Sequence, residues 1–168
     1  MVLESHLEGF AEEERGMGTI VPATQEVWWQ GALFRIKGRT AETAGAIGLA
    51  EANFWAGMGP PLHTHHREDE AFYILEGKIR FRRGEEEFTA GAGEFVFGPR
   101  EIPHSFKVLE DGTRALVLLT PGGMEQMFIE GGVPVRDAAN PPPREYDVDH
   151  VLALAKKYGW EVVGPPLS

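Results

Sequence analysis

From Val27 to Thr120 the apolar residues fall in runs of four to eight, many with every second position polar, and Gly, Pro or Asp-Gly ends the runs. That spacing suits strands with one buried face rather than helices. "VWWQGALFRIKG" opens the pattern, and "GAIGLAEANFWAG" reads as a strand with Gly45 and Gly48 near its start. "EAFYILEG" and "KIRFRRG" follow as adjacent strands, "GEEEF" returns from a turn at Gly84, and "GEFVFGP" and "HSFKVLEDGTRALVLLT" complete the set, with Asp111-Gly112 predicted as a hairpin turn. Many short strands at this spacing predict an all-β sandwich or barrel.

After Pro121 the pattern changes. "GGMEQMFIEGG" predicts a short helix ended by Gly131-Gly132, and "NPPPREYD" an extended linker, because each proline bars its predecessor from helical angles. "DVDHVLALAKKYGW" predicts a helix with Asp147 as N-cap, Lys156 and Lys157 at its negative end and Gly159 just beyond. Val148, Val151, Leu152, Ala155 and Tyr158 recur at helical spacing and predict one face packed on the barrel. Residues 1–20 are acidic with few apolar anchors and are expected to form an arm; residues 21–168 are expected to be a single domain.

Composition narrows the chemistry. With no cysteine, any transition-metal site must use imidazole and carboxylate. A net charge of -10 argues against nucleic acid as a partner, because such a surface repels phosphate. Lys78, Arg80, Arg82 and Arg83 form the one basic cluster, and three of them alternate with Ile79 and Phe81 as the solvated face of a strand. The first residues lack the basic start and apolar core of a signal peptide, and no apolar run approaches a membrane span, so a cytoplasmic location without membrane contact is expected.

Metal-capable residues gather in "GMGPPLHTHHREDEAFYILEG", where His63, His65, His66, Glu68, Asp69 and Glu70 fall within eight positions. On an extended segment His63 and His65 point the same way, and Glu70 shares a face with Phe72 and Ile74. A carboxylate turned inward beside two imidazoles is costly unless a cation neutralises it. His104 in "GPREIPHSF" is a fourth candidate, with Phe106 continuing its face. His66 faces away from His65 and is expected at the surface or behind the ligands; Glu68 and Asp69 are expected at the rim of the turn, and His6 and His150 at the surface.

These residues resemble the two signature motifs of the cupin superfamily. Gly57, His63, His65, Glu70 and Gly77 meet the first motif in full. Gly93, Pro99 and His104 fit the second, while Glu101 stands where the family has glycine and Val108 where it has asparagine. Most of residues 25–166, including the tail "YGWEVVGPP", is similar to small single-domain cupins of the quercetin dioxygenase-like group. The resemblance implies a double-stranded β-helix, or jelly-roll barrel, with short helices at the C-terminus. It also implies one divalent transition metal per chain held by His63, His65, Glu70 and His104; Fe, Mn, Ni, Co, Cu and Zn all suit such a set.

In that group the glutamate equivalent to Glu70 takes the proton from the substrate hydroxyl, so the resemblance implies that Glu70 is both ligand and general base. The expected activity is dioxygenation of an enolisable or aromatic small molecule. A metal-dependent isomerase or other non-redox enzyme, and a ligand-binding cupin without turnover, are the alternatives. Phe72, Phe106, Met124, Met127 and Phe128 are candidates for an apolar substrate wall. Trp28, Trp29 and Trp55 are expected in the core or an interface rather than as substrate platforms. Cupins of this size usually pair, so a homodimer is expected, with the N-terminal segment near the interface and the Trp28-Trp29 surface covered.

Overall fold

The computed structural model describes residues 25–168. The acidic arm expected at 1–20, His6 and the part given to the N-terminal segment in an interface lie outside the described residues.

Twelve strands form two antiparallel sheets: β1 Gln25–Trp29, β2 Ala32–Gly38, β3 Gly48–Phe54, β4 Pro61–His65, β5 Asp69–Glu76, β6 Lys78–Arg83, β7 Glu86–Gly91, β8 Phe95–Gly98, β9 His104–Val108, β10 Thr113–Thr120, β11 Val133–Pro134 and β12 Trp160–Pro166. Helices α1 Glu125–Gly131 and α2 Val148–Ala155 precede β11 and β12 respectively. One sheet runs β11-β1-β2-β3-β10-β5-β8 and the other β12-β4-β9-β6-β7. From β3 to β6 each strand crosses to the opposite sheet, and so do β8, β9 and β10; this alternation makes a jelly roll.

Alternation along the strands builds the core. Thr113, Ala115, Val117 and Leu119 of β10 are buried while Arg114, Leu116, Leu118 and Thr120 face outward. Gly77 joins β5 to β6 across the sheets in a left-handed conformation (φ 79°), and a Cβ there would lie 2.2 Å from Thr113 Oγ1. The two tight hairpins are Gln30-Gly31, with both residues at positive φ, and Gly84-Glu85.

The hairpin predicted at Asp111-Gly112 does not form, because β9 and β10 belong to different sheets. Asp111 instead accepts a hydrogen bond from Ala56 N at 2.8 Å and pairs with Arg144. Likewise "EAFYILEG" and "KIRFRRG" are neighbours in sequence and not in a sheet. The basic strand β6 is paired outside, Lys78 with Glu110, Arg82 with Glu85 and Arg83 with Glu86.

Helix α2 departs from its predicted face. Asp147 caps it by accepting from His150 N, and Val151 and Ala155 are buried, but Val148 and Leu152 are 41% and 46% exposed. The helix lies at the margin of the core and presents only a narrow stripe. Lys157 pairs with Glu130 of α1 instead of serving the helix end, and Gly159 takes its left-handed turn (φ 68°) just before β12.

Glu125, fully buried at the start of α1, ties this helix to the barrel. Its carboxylate accepts from Thr40 N, Thr40 Oγ1 and Gly123 N at 2.6–2.9 Å. Burial pushes its pKa up, but these bonds outweigh burial and hold it below the ordinary 4.5. Its stabilisation is therefore present above that value and lost as pH falls through the lower folded-state value. Glu125→Ala orphans these donors and is expected to cost about 3 kcal/mol in urea unfolding at neutral pH, with the difference shrinking in acid.

Candidate metal centre

Strand alternation places the four predicted ligands together. His63 and His65 project from one face of β4, Glu70 enters from the start of β5, and His104 opens β9 directly across from His63 in register. They are 2%, 1%, 6% and 6% exposed, and one donor atom from each lies within 4.8 Å of all the others.

The side chains are oriented from behind. His63 Nδ1 donates to the Pro61 carbonyl at 2.8 Å, and His104 Nδ1 to the Ile102 carbonyl at 2.9 Å. Since a carbonyl only accepts, both rings carry hydrogen on Nδ1 and turn Nε2 inward. His63 Nε2 lies 3.0 Å from His65 Nε2, and His104 Nε2 lies 3.3 Å from Glu70 Oε2. Two donors ~2.1 Å from one ion and at right angles would be ~3.0 Å apart, so these spacings suit a shared cation. The Nδ1 of His65 is buried without a partner. The cluster can hold one metal ion.

The electrostatics agree. Burial drives His63 well below its usual pKa and His65 to about 4, so both are neutral and available as ligands. Burial also pushes His104 down and Glu70 up, but their mutual hydrogen bond and attraction prevail, leaving His104 above its usual value and Glu70 below. Without a metal these two form an imidazolium–carboxylate pair. Because His104 holds its proton above the ordinary 6.5, cobalt binding near pH 6.5 is expected to release about one proton per ion, and affinity to fall as pH drops. Calorimetry in buffers of different ionisation enthalpy checks this; uptake without proton release contradicts it.

His63, His65 and Glu70 form one wall of a small, partly open cavity. The rest of the wall is mostly apolar and includes Phe72, Phe106, Met124, Met127 and Phe128, the five residues expected there. Trp29, read as core or interface, is buried and also lines the cavity, whereas Trp28 and Trp55 border a groove outside the barrel. Tyr146 and Trp160 complete the wall without any signal in their local sequence.

His66 lies outside, its two ring nitrogens each 3.0 Å from a carboxylate, Glu101 and Glu161. Glu101 keeps the left-handed turn of the glycine it replaces (φ 64°). Asp69 sits near the surface, bound to Arg100. Glu68, expected at the rim, is instead 4% exposed, with burial lifting its pKa to about 7 and Oε2 unpartnered. His150 is exposed as expected, with its ring against Trp29 and Nε2 on the Gly131 carbonyl.

Residues 51–121, which carry all four candidate ligands, match the cupin domain family. The chain carries a cupin domain. Over 90 residues it is 26% identical to the quercetin 2,3-dioxygenase of Bacillus subtilis, covering 54% of this chain and 27% of that protein. Over 117 residues it is 22% identical to the quercetin 2,3-dioxygenase of Aspergillus japonicus, covering 67% and 30%. The chain thus spans less than a third of either relative's length. In fold, the cupin domain resembles the solved structure of an RmlC-like cupin from Shewanella frigidimarina, with a TM-score of 0.52 at 18% identity over 73% of this chain and 96% of that one. Among the described residues no helix is long and apolar enough to cross a membrane.

Proposed function

We propose that this cupin is a metal-dependent dioxygenase of the quercetin 2,3-dioxygenase-like type, acting on an enolisable or aromatic small molecule. The observation that carries the reading is Glu70, a buried carboxylate that faces three imidazoles and an apolar cavity together. A divalent transition metal held by His63, His65, Glu70 and His104 would supply Lewis acidity and the electron-transfer chemistry needed with dioxygen. The protein supplies the rest. Glu70 accepts the proton of the substrate hydroxyl, turning the substrate into an electron-rich enolate. Phe72, Phe106 and Met127 exclude water and hold the apolar body of the substrate. Both oxygen atoms enter the product, so no external reductant is required. The two quercetin dioxygenase relatives support this direction.

We take residues 21–168 as one domain and the protein as cytoplasmic. Its pairing as a homodimer is supported by the outer face of the larger sheet, where Tyr73, Phe95 and Phe97 are exposed beside the outer edge of β8, which pairs with no strand among the described residues.

The test is an oxygen electrode with protein loaded in turn with Fe, Mn, Ni, Co, Cu or Zn and offered a flavonol panel. Oxygen uptake matched to product is the expected result. Turnover without oxygen uptake would make the protein a Lewis-acid isomerase or related enzyme, and binding without turnover a ligand-binding module.

A further inference from the structure

The C-terminal part of the chain, beyond the segment that matches the cupin family, brings a phenol into the cavity. Residues 141–147 run between α1 and α2 and are fastened at three points. Gln30 Oε1 accepts from Asp147 N, and Arg144 pairs with Asp111 at 2.8 Å. Gly31 lies so close beneath the strap that a Cβ there would be 2.8 Å from the Pro143 carbonyl oxygen. Tyr146, held between these anchors, packs on the core and lines the same cavity as His63, His65 and Glu70.

Its hydroxyl has no hydrogen-bond partner among the described residues. Tyr146 is only partly buried and its hydroxyl stays within reach of solvent, so a ligand oxygen entering the cavity can replace water on it without breaking any bond within the protein. Trp29 and Trp160 line the cavity as well, and the Trp160 N–H is buried without a partner. Burial holds the phenol in its protonated form, which makes it a donor and not a base.

We infer that Tyr146 contacts the bound molecule, donating a hydrogen bond to one of its oxygens while a neighbouring oxygen occupies the metal centre. The inference rests on the metal reading above and adds a hydrogen-bond donor for a substrate oxygen that the metal does not hold. Tyr146→Phe keeps the ring and removes only the donor.

The experiment titrates maltol, a planar hydroxy-ketone, into cobalt-loaded parent and Tyr146→Phe proteins, followed by the visible cobalt bands. Cobalt content and melting temperature are expected to match, with maltol affinity of the variant ~10–100-fold lower, as for a lost hydrogen bond to a charged acceptor. Equal maltol affinity in the two proteins overturns the inference and leaves the metal centre standing. A parent that takes up cobalt but no maltol overturns the inference for ligands of this kind. A parent that takes up no cobalt overturns the metal reading and this inference with it.

Discussion

Glu70→Gln is expected to keep its metal and lose its turnover. Glutamine preserves the length of the side chain and one carbonyl oxygen, and His63, His65 and His104 remain as donors. What disappears is the negative charge and the ability to accept a proton from the substrate. Rates of substrate oxidation should therefore fall by ~10²–10⁴, the usual contribution of a positioned acid–base group. Metal analysis and an oxygen electrode on the same preparations separate the two roles. A variant with full metal and the parental rate would show that Glu70 is not the base, even if it is a ligand. A variant that has lost its metal would show that the charge is needed to hold the ion and that rate alone cannot report on proton transfer.

His104→Ala should do the reverse and empty the site. Removing the ring takes away one of three nitrogen donors and leaves Glu70 buried without the group that hydrogen-bonds it at 3.3 Å. Loss of a group behind a metal ligand typically costs 10–100-fold in affinity, and loss of a ligand should exceed that. The metal-free protein should also lose ~3–5 kcal/mol, because half of a buried pair is gone. His66→Ala is the control. It removes an imidazole one residue from His65, but its ring lies outside among Glu101 and Glu161, so metal affinity should change less than ~3-fold. Dialysis against buffered cobalt gives both affinities, and equal losses would refute the geometry.

The candidate cluster was legible because its information is local. His63 and His65 need only an extended backbone to share a face, and Glu70 needs only to begin the next strand in phase with Phe72. Sheet membership is not local. Asp111-Gly112 has the residues of a hairpin, yet β9 and β10 part to opposite sheets because β9 pairs with β6 and β4 while β10 is claimed by β3 and β5. Glu68 looked like a rim residue because nothing in its neighbours reveals Gly123 packing beside its carboxylate. Tyr146 was hidden more deeply, since its place depends on Gln30, Gly31 and Asp111, all distant in sequence. Helix α2 showed the limit of periodicity, which finds an apolar stripe but not how much of it meets a partner.

Strand β12 lies along β4, with Trp160 opposite His65 and Val162 opposite His63, whereas β9 meets β4 at the single pair His63–His104. The backbone that carries two of the ligands is therefore secured mainly by residues translated after every ligand has already been made. On the ribosome the nascent chain would have its four donors in hand and still lack the ladder that aligns two of them. A polypeptide released before Trp160 would leave β4 as a bare sheet edge, open to pairing with another chain.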